Sequence, residues 1–331
     1  KDALESLPLD KPILFIDEVQ RLENPGLLLK AIADLKLPIK LIASGSSQLE
    51  IKSKVQEFLT GRHLEALILP LSNEELGELT EHEYVYGAYP AVTNTQEKEL
   101  VLQQLYRNYI QKDIVEILKI GKPDAMLNLI QLVAHSSGQL INYQQLATDC
   151  RLSTATVQHY LSVLENTYTI GQIKPFVGNK RKEVVANPVY YFIDNGFRNE
   201  ALRNFSDIKL RQDKGLLIES VVFQEIVKFR AQHFLSFDIH YWRTRSGAEV
   251  DFVLKQTEDN ILPIEVKFQP MRTGKISRSF RSFIEGYAPE RAVIVTQDFN
   301  GTQMVDNCKV QFVSVKKLSN LTKLIATWLK H

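Results

Sequence analysis

The sequence has few cysteines, no long apolar run and almost no net charge. Only two of the 331 residues are cysteines, Cys150 and Cys308, which argues against a disulfide scaffold and favours a reducing, cytoplasmic environment. No apolar run approaches the roughly 20 residues that span a bilayer, and the first residues show no signal-peptide pattern, so no membrane partner is expected. The net charge of +1 excludes a uniformly basic nucleic-acid coat, so any contact with nucleic acid must come from local patches.

Length and composition predict several globular domains. A chain of 331 residues exceeds the roughly 150 residues of a typical domain, and an apolar content of 44% lets each part bury a core. The order of the apolar patterns predicts an α/β multidomain fold. We expect part of a parallel nucleotide-binding sheet in residues 1–80, a helical segment with a winged helix in 81–200, and a small α/β domain in 201–331.

The first acidic pattern follows an apolar run near the start of the chain. The run PILFI (12–16) is typical of a strand covered on both faces, and Asp17 and Glu18 follow it directly. At the carboxyl end of a parallel strand, an aspartate can hold Mg²⁺ and the neighbouring glutamate can polarise an attacking water. The alternative, an ordinary solvated strand end, stays open because apolar runs that end in acids are common.

Three more residues are candidates for contacts with a nucleotide. The next predicted strand (39–47) follows a predicted helix and ends in Ser46 and Ser47, which can sense a γ-phosphate or orient a water molecule. Arg62 precedes a third predicted strand (64–72) and can reach a phosphate with two parallel hydrogen bonds, although a plain surface arginine is the alternative. No G-x-x-x-x-G-K-[ST] loop occurs in the sequence, so we expect these 331 residues alone to bind ATP poorly.

A second acidic pattern lies on two predicted strands near the C-terminus. In the segments AEVDFVL and LPIEVKF, Asp251, Glu265 and Lys267 alternate with apolar residues, so each strand presents its charged groups on one face. Glu219 interrupts an apolar helix, where an unpaired carboxylate is costly. If the strands pair, Asp251 and Glu265 can share a Mg²⁺ ion and Lys267 can stabilise charge on a phosphate. Ordinary outward charges on half-exposed strands are the alternative.

The middle of the chain predicts a helix-turn-helix followed by a hairpin wing. Ser153 is a plausible N-cap for the second helix. The candidates for DNA contacts are polar residues early on that helix and three basic residues at the wing tip: Thr154, Thr156, His159, Lys180, Arg181 and Lys182. Because winged helices also dock proteins, a protein-directed role for this part stays open.

Several segments, taken in order, resemble prokaryotic AAA-type ATPases that carry a C-terminal domain of unknown function. The segments that carry the resemblance include ILFIDEVQRLENPGLLLKAI, LIASGSSQLEI, LTGRHLEALILPLSNEEL, LIESVVFQEI and YWRTRSGAEVDFVLKQ, and the likeness extends over nearly the whole chain. The resemblance implies an ATPase module with ATP and Mg²⁺ as cofactors, a winged-helix module, and a C-terminal domain resembling PD-(D/E)xK nucleases. It also implies a preceding P-loop segment, which these residues do not include, so residues 1–80 would be the later part of an ATPase domain.

The resemblance assigns roles to individual positions. In the ATPase part, the matched positions are the Mg²⁺-coordinating acid, the catalytic base, the sensor serine and, more weakly, a phosphate-contacting arginine: Asp17, Glu18, Ser46 or Ser47, and Arg62. In the nuclease-like part, all four motif positions are matched: Glu219, Asp251, Glu265 and Lys267. Val250 stands where the motif has proline, which removes no metal ligand.

Three functions are consistent with these patterns. The first is an ATPase, in its complete form, coupled to DNA binding or processing by a Mg²⁺-dependent nuclease-like domain. The second is a module that binds DNA or protein without cutting. The third is an ATP-switched regulatory scaffold that acts with a toxin-like or mobile-element protein partner, or with further copies of itself.

Overall fold

Two β-sheets organise the part of the protein that the structure describes. The computed structural model describes residues 12–45, 63–116, 120–176 and 187–330. Six residues proposed for nucleotide or DNA contacts lie outside these ranges: Ser46, Ser47, Arg62, Lys180, Arg181 and Lys182. Among the described helices, none is both long and apolar enough to cross a membrane.

The smaller sheet contains two parallel strands. Strand β1 (Ile13–Ile16) pairs with β2 (Lys40–Ala43), and helix α1 (Pro25–Asp34) connects them, with Pro25 at its first position. The predicted strand-helix-strand unit is therefore confirmed. Because both strands run in the same direction, their carboxyl ends, which carry Asp17 and Ser44, lie at the same edge.

Two predictions about this sheet are wrong for the described residues. Strand β1 is not covered on both faces, since Ile13 and Phe15 are 55% and 57% exposed. Apolar composition indicates a preference for burial, but it does not supply the element that covers the strand. The third predicted strand, over 64–72, does not form, because these residues pair with no strand within the described ranges.

The larger sheet contains eight strands within the described residues. Its strands are β3 (Ile170–Pro175), β4 (Val189–Phe192), β5 (Asp238–Arg243), β6 (Glu249–Lys255), β7 (Ile261–Lys267), β8 (Arg291–Thr296), β9 (Gly301–Val305) and β10 (Cys308–Ser314). Their order across the sheet is β4-β3-β5-β6-β7-β8-β10-β9. The middle of the sheet combines antiparallel pairs, β5 with β6 and β6 with β7, and the parallel pair of β7 with β8. This arrangement places β6 and β7 at the centre, where both faces are covered.

Helices surround the larger sheet and build the middle of the chain. They are α2 (Asn73–Leu76), α3 (Glu81–Tyr86), α4 (Pro90–Thr93), α5 (Lys98–Arg107), α6 (Pro123–His135), α7 (Tyr143–Cys150), α8 (Thr154–Asn166), α9 (Asn195–Leu202), α10 (Lys214–Gln232), α11 (Arg278–Tyr287) and α12 (Leu318–Trp328). A π-helix, Asn108–Glu116, continues α5. Helices α10 and α12 pack with Phe252 and Leu254 on one face of the sheet, and α11 packs with Val253 and Ile261 on the other.

The middle of the chain contains the predicted pair of helices followed by two strands. The Ser153 side chain accepts a hydrogen bond from the Thr156 amide at 3.1 Å, as expected of the N-cap of α8. Strands β3 and β4 then pair antiparallel, and β3 also joins β5 through Lys174 and Pro175. The hairpin that follows the two helices is therefore continuous with the C-terminal sheet.

The polar sequence of residues 194–215 is typical of a connector between domains, but this segment contains the buried helix α9. Asp194 caps this helix by accepting hydrogen bonds from two amides, those of Gly196 and Phe197. Asn199 is fully buried and donates to the carbonyl oxygen of Val85 at 2.7 Å. Polar side chains can be buried here because they satisfy backbone carbonyls of the neighbouring helix.

Candidate functional site

The two strands that carry the C-terminal acidic pattern separate where their charged residues begin. The last paired residues of β6 and β7 are Phe252 and Ile264, so Asp251 and Glu265 come next on the two strands. The amide of Val266 donates to Asp251 Oδ2 at 2.6 Å. The Asp251 carboxylate therefore accepts a backbone hydrogen bond from the neighbouring strand. This bond fixes the carboxylate at the point where the pairing of β6 and β7 ends.

Glu265 is the most deeply buried of the predicted site residues. Its side chain lies in the middle of the sheet with only 2% of the residue exposed. Oxygen Oε1 accepts from Lys267 Nζ at 3.0 Å and from Ser277 Oγ at 2.8 Å. Oxygen Oε2 is buried and has no hydrogen-bond partner among the described residues. A buried carboxylate oxygen without a partner is costly, so this atom has an unused capacity to bind a cation.

Glu219 reaches the same region from helix α10. Its carboxylate accepts a hydrogen bond from the hydroxyl of Tyr191 on β4. Gly138 adopts a positive φ of 80°, and a Cβ built there would lie 3.3 Å from Glu219 Oε1. The loop before α7 and the hairpin strand β4 therefore both fix the position of this glutamate, although they precede it by many residues in sequence.

A small open cleft connects Glu219 with Asp251. It offers about 40 Å³ of space for groups the size of a water molecule. Its lining includes three carboxylates, three aromatic side chains and Gly138: Glu219, Glu249, Asp251, Tyr191, Tyr241, Trp242 and Gly138. Glu265 and Lys267 are not among the lining residues. The cleft is thus formed jointly by the middle of the chain and by the C-terminal sheet.

The electrostatics of this site reflect an excess of negative charge. The pKa of Asp251 is raised to about 7, mainly by loss of hydration and also by the charges of Glu265 and Glu249. The hydrogen bond from the Val266 amide and the charge of Lys267 act in the opposite direction and lower the pKa. The pKa of Glu219 is raised well above its ordinary value, first by burial and then by the charge of Asp251. Burial alone would lower the pKa of Lys267, but Glu265 and Asp251 outweigh it and the pKa is raised. A further cation would stabilise the ionised carboxylates.

The donor set suits Mg²⁺ rather than a metal held by many protein ligands. Among the described residues, no three His, Cys, Asp or Glu side chains lie together at metal-binding spacing. Mg²⁺ usually keeps several waters and is bound through one or two carboxylates. Asp251 and Glu265, which follow the last paired residues of β6 and β7, are two carboxylates on adjacent strands, and Oε2 of Glu265 has no hydrogen-bond partner within the described ranges. The residues present therefore fit this ion.

The N-terminal acidic pattern forms a simpler and more exposed site. Asp17 is exposed at the end of β1 and accepts a hydrogen bond from the hydroxyl of Ser44, which follows β2. Glu18 adopts a left-handed conformation with φ 50° and forms an ion pair with Arg21 at 3.3 Å. Asp17 and Ser44 therefore border one edge, while Glu18 is held by a neighbouring arginine.

The predicted DNA contacts on α8 lie on its first two turns. Thr154 and Thr156 are half-buried, and His159 is exposed. The hydroxyl of Thr156 is also engaged with Ser153 Oγ at 2.7 Å, so it is part of the helix cap. This leaves His159 as the most accessible of the three side chains.

Sequence reasoning missed three residues of the C-terminal site: Tyr191, Glu249 and Ser277. Ser277 could have been found, because a serine before an amphipathic helix is an N-cap signal. Glu249 could also have been found, since it lies two residues before Asp251 on the same strand. Tyr191 had no signal in the sequence, because only the packing of β4 against α10 brings it to Glu219.

Family comparisons divide the chain into three matched parts. Residues 1–77 match the AAA domain, residues 77–208 match a domain of unknown function (DUF8612), and residues 214–318 match another domain of unknown function (DUF4143). The AAA match indicates a nucleotide-binding segment of the ATPase type at the start of the chain.

Three curated bacterial proteins are similar over most of the chain. An uncharacterized protein of Haemophilus influenzae is 22% identical over 324 residues, which cover 92% of this chain and 77% of that protein. Uncharacterized proteins of Mycobacterium tuberculosis and Mycobacterium bovis are each 23% identical over 291 residues, which cover 86% of this chain and 64% of theirs. The chain thus spans less than two thirds of the mycobacterial relatives. Its matched parts support a relationship with the AAA-type ATPases, through an AAA domain followed by two domains of unknown function.

Proposed function

We propose that the protein is, in its complete form, an ATP-binding ATPase coupled to DNA processing, and that its C-terminal cleft cleaves phosphodiester bonds with Mg²⁺. The observation that carries this proposal is the buried, unpartnered Oε2 of Glu265, a residue whose other carboxylate oxygen is paired with Lys267 and whose strand adjoins that of Asp251. An oxygen-lined position with one fixed cation next to it is what Mg²⁺-assisted attack on a phosphate requires. The raised pKa of Asp251, about 7, supports the same assignment, because perturbed carboxylates concentrate at functional sites.

Each side chain has a definite part in this proposal. Asp251 and Glu265 would hold Mg²⁺, which neutralises phosphate charge and activates a water when bound. Lys267 Nζ, oriented by Glu265 Oε1, would stabilise the negative charge that develops on a phosphate oxygen. Glu219 retains its proton more readily than an exposed glutamate because its pKa is raised, and Tyr191 fixes the orientation of its carboxyl group.

The N-terminal site would serve ATP. Asp17 would hold the Mg²⁺ of the nucleotide, with Ser44 as its partner, and Glu18 would act as the base after leaving Arg21. Ser46, Ser47 and Arg62 remain proposed contacts to the phosphates.

The middle of the chain would contribute to DNA binding. Helices α7 and α8 followed by the β3–β4 pair have the element order of a winged helix, which supports assigning α8 to recognition. Thr154, Thr156 and His159 would meet DNA from this helix. Lys180, Arg181 and Lys182, between the two strands, would add phosphate contacts.

The test is Mg²⁺-dependent nicking of supercoiled plasmid. We expect the wild-type protein to nick in Mg²⁺ and not in EDTA, and we expect Asp251→Asn and Lys267→Met to lose about 10²-fold or more in rate. The exposed Asp259, in the turn between β6 and β7, provides the matched control, and Asp259→Asn should nick like the wild type. Equal nicking by all four proteins would indicate a contaminant and would remove the case for cleavage.

A second candidate is a regulator that binds DNA or protein and does not cut. The observation in its favour is that Asp251 already accepts from Val266 and that Glu265 Oε1 already accepts from Lys267 and Ser277. In that case the charged groups stabilise the fold, and binding of DNA, of a protein partner or of another copy would not depend on Mg²⁺. Unchanged affinity for DNA with and without Mg²⁺, together with no nicking, would favour this candidate.

A further inference from the structure

A run of positive charge follows the C-terminal acidic pattern in the sequence. Residues 266–284 contain five basic residues and no Asp or Glu, although the whole chain has 40 basic and 39 acidic residues. The five residues, called here the basic strip, are Lys267, Arg272, Lys275, Arg278 and Arg281. A local excess of one sign in a chain that is otherwise neutral indicates a surface for a partner of opposite charge.

The structure connects the basic strip to the carboxylate of Glu265. Lys267 ends β7, and Arg278 and Arg281 lie on the first turns of α11. Between them, Ser277 Oγ donates to Glu265 at 2.8 Å and accepts from the Phe280 amide at 3.1 Å, which caps the helix. One serine thus fixes both the buried carboxylate and the start of the helix that carries two arginines.

The burial pattern of α11 turns its arginines toward solvent. Phe280 and Phe283 are fully buried against the sheet, whereas Arg278 and Arg281 are exposed. Arg278 and Arg281 are three residues apart, which places side chains on one helix face about 5–6 Å apart. Arg272 and Lys275, in the loop before the helix, are exposed as well.

Four of the five cations have no carboxylate partner in the described structure. Lys267 is paired with Glu265 at 3.0 Å, but no ion pair within the described ranges involves Arg272, Lys275, Arg278 or Arg281. Other exposed cations, such as Lys316 and Lys330, also have no ion pair within the described ranges. The strip is therefore distinguished by the absence of Asp and Glu from its sequence and not by the lack of ion pairs. The nearby acid Asp298 accepts instead from the Met271 amide at 3.4 Å.

We propose that the basic strip binds the phosphate backbone of duplex DNA and leads it to the cleft. The step toward the cleft rests on the proposed function, whereas the binding itself does not. Arginine suits this partner because its planar guanidinium group binds phosphate oxygens with two parallel hydrogen bonds. The residues among and next to the cations favour nucleic acid over a protein partner. Thr273 and Ser282 are polar and exposed, while the apolar Ile276 is buried.

Binding is tested by fluorescence anisotropy with a short labelled duplex in EDTA, so that cleavage plays no part. The test variant replaces Arg272, Lys275, Arg278 and Arg281 with glutamine and leaves Lys267 in place. The control variant makes the same change in net charge at four exposed lysines on and around α12, at the opposite face of the sheet: Lys316, Lys317, Lys323 and Lys330. Circular dichroism and the Tm of each protein check that folding is retained.

We expect the test variant to lose about 10-fold or more in affinity near 50 mM salt. The plot of the logarithm of the binding constant against the logarithm of the salt concentration should also become shallower, by about 0.9 in slope for each phosphate that the protein no longer neutralises. The control variant should stay within about twofold of the wild type, as a surface change remote from the bound duplex should. Equal affinity in the test variant, or equal loss in both variants, overturns the proposal. Binding to an acidic peptide but not to the duplex overturns it in favour of a protein partner.

The design separates this proposal from the proposed cleavage. If the strip variant loses DNA binding while wild-type protein never nicks plasmid, the strip is supported and the cleavage proposal fails. If wild-type protein nicks in a Mg²⁺- and Asp251-dependent way while the strip variant binds DNA normally, the cleavage proposal is supported and the strip fails.

Discussion

The two acidic sites of this protein have the same local sequence pattern and very different surroundings. In each, an apolar strand ends near a carboxylate, and a hydroxyl from a neighbouring element donates to a carboxylate: Ser44 to Asp17, and Ser277 to Glu265. Asp17 is exposed on a two-stranded sheet, whereas Glu265 lies in the middle of eight strands and is 2% exposed. The difference teaches that a strand-end carboxylate acquires unusual chemistry from the layers packed around it, because those layers remove water.

The largest expected contrast between the two sheets lies in their phenylalanines. Phe252 on β6 is fully buried, and Phe15 on β1 is 57% exposed. We expect Phe252→Ala to lower the free energy of unfolding by about 3–5 kcal/mol, because it leaves a cavity. Phe15→Ala should cost less than about 1 kcal/mol. Urea unfolding followed by far-ultraviolet circular dichroism, which reports on both sheets, measures both losses. Similar losses would show that β1 is covered after all.

The next largest effect concerns the link between the end of the AAA-matched segment, residues 1–77, and helix α10. Lys228 and Glu225 form a buried ion pair at 3.1 Å. Lys228 Nζ also donates to the carbonyl oxygen of Leu71, and Glu225 Oε2 accepts from the amide of Asn73. Lys228→Met leaves a buried charge without its partner and should cost about 3 kcal/mol. The exposed pair of Lys209 and Glu81 is the control, and Lys209→Met should change stability by less than about 0.5 kcal/mol in the same urea titration.

A smaller effect should follow from the protonation of Asp251. Its carboxyl has a pKa of about 7 when folded and an ordinary value near 3.8 when unfolded. The stabilising contribution of its bound proton is therefore complete below about pH 4 and is lost as the pH rises to about 7.

Asp251→Asn keeps a neutral acceptor for the Val266 amide at every pH. It should therefore stabilise the protein at pH 8 by about 1–2 kcal/mol, or about 2–6 °C in Tm, and less at pH 5. Thermal unfolding at the two pH values measures this. A gain that is equal at both pH values would contradict the assigned titration.

The smallest expected effect is the stabilisation of the protein by Mg²⁺, which tests directly which of the two acidic sites binds the ion more tightly. At pH 8, Mg²⁺ at ten times its Kd should stabilise the wild-type protein by about 1.4 kcal/mol, seen as a shift of about 2–4 °C in Tm. The shift should persist in Asp17→Asn and disappear in Asp251→Asn. A shift that is lost only in Asp17→Asn would reverse the comparison and place the stronger ion site on the smaller sheet.

Much of the larger sheet could be predicted from the sequence because its patterns are local. The strands around Asp251 and Glu265 follow period-two alternation, and they occur as β6 and β7 close to the predicted positions. The hairpin of β9 and β10 was not predicted, and neither was helix α9. Helix α9 was missed because its asparagines and arginine look like surface residues, whereas they are buried by hydrogen bonds to other elements.

The candidate site was predicted in part for the same reason. Glu219, Asp251, Glu265 and Lys267 were selected from spacing and from their resemblance to a motif, and the fold brings their charges close enough to shift the pKa values of Glu219, Asp251 and Lys267. No pattern along the chain could reveal the hydrogen bond from Tyr191, since this residue lies 28 positions before Glu219.

The sequence by itself determined where the central strands β6 and β7 form, which residue types end them, and that positive charge collects in residues 266–284. These properties depend on neighbours a few positions apart, which is the range over which backbone geometry and side-chain periodicity act. Only the tertiary structure decided which carboxylates lose their water, which oxygen of Glu265 is left without a partner, and which strand lies uncovered. Burial and electrostatic coupling arise between segments distant in sequence, so they exist only once those segments have packed together.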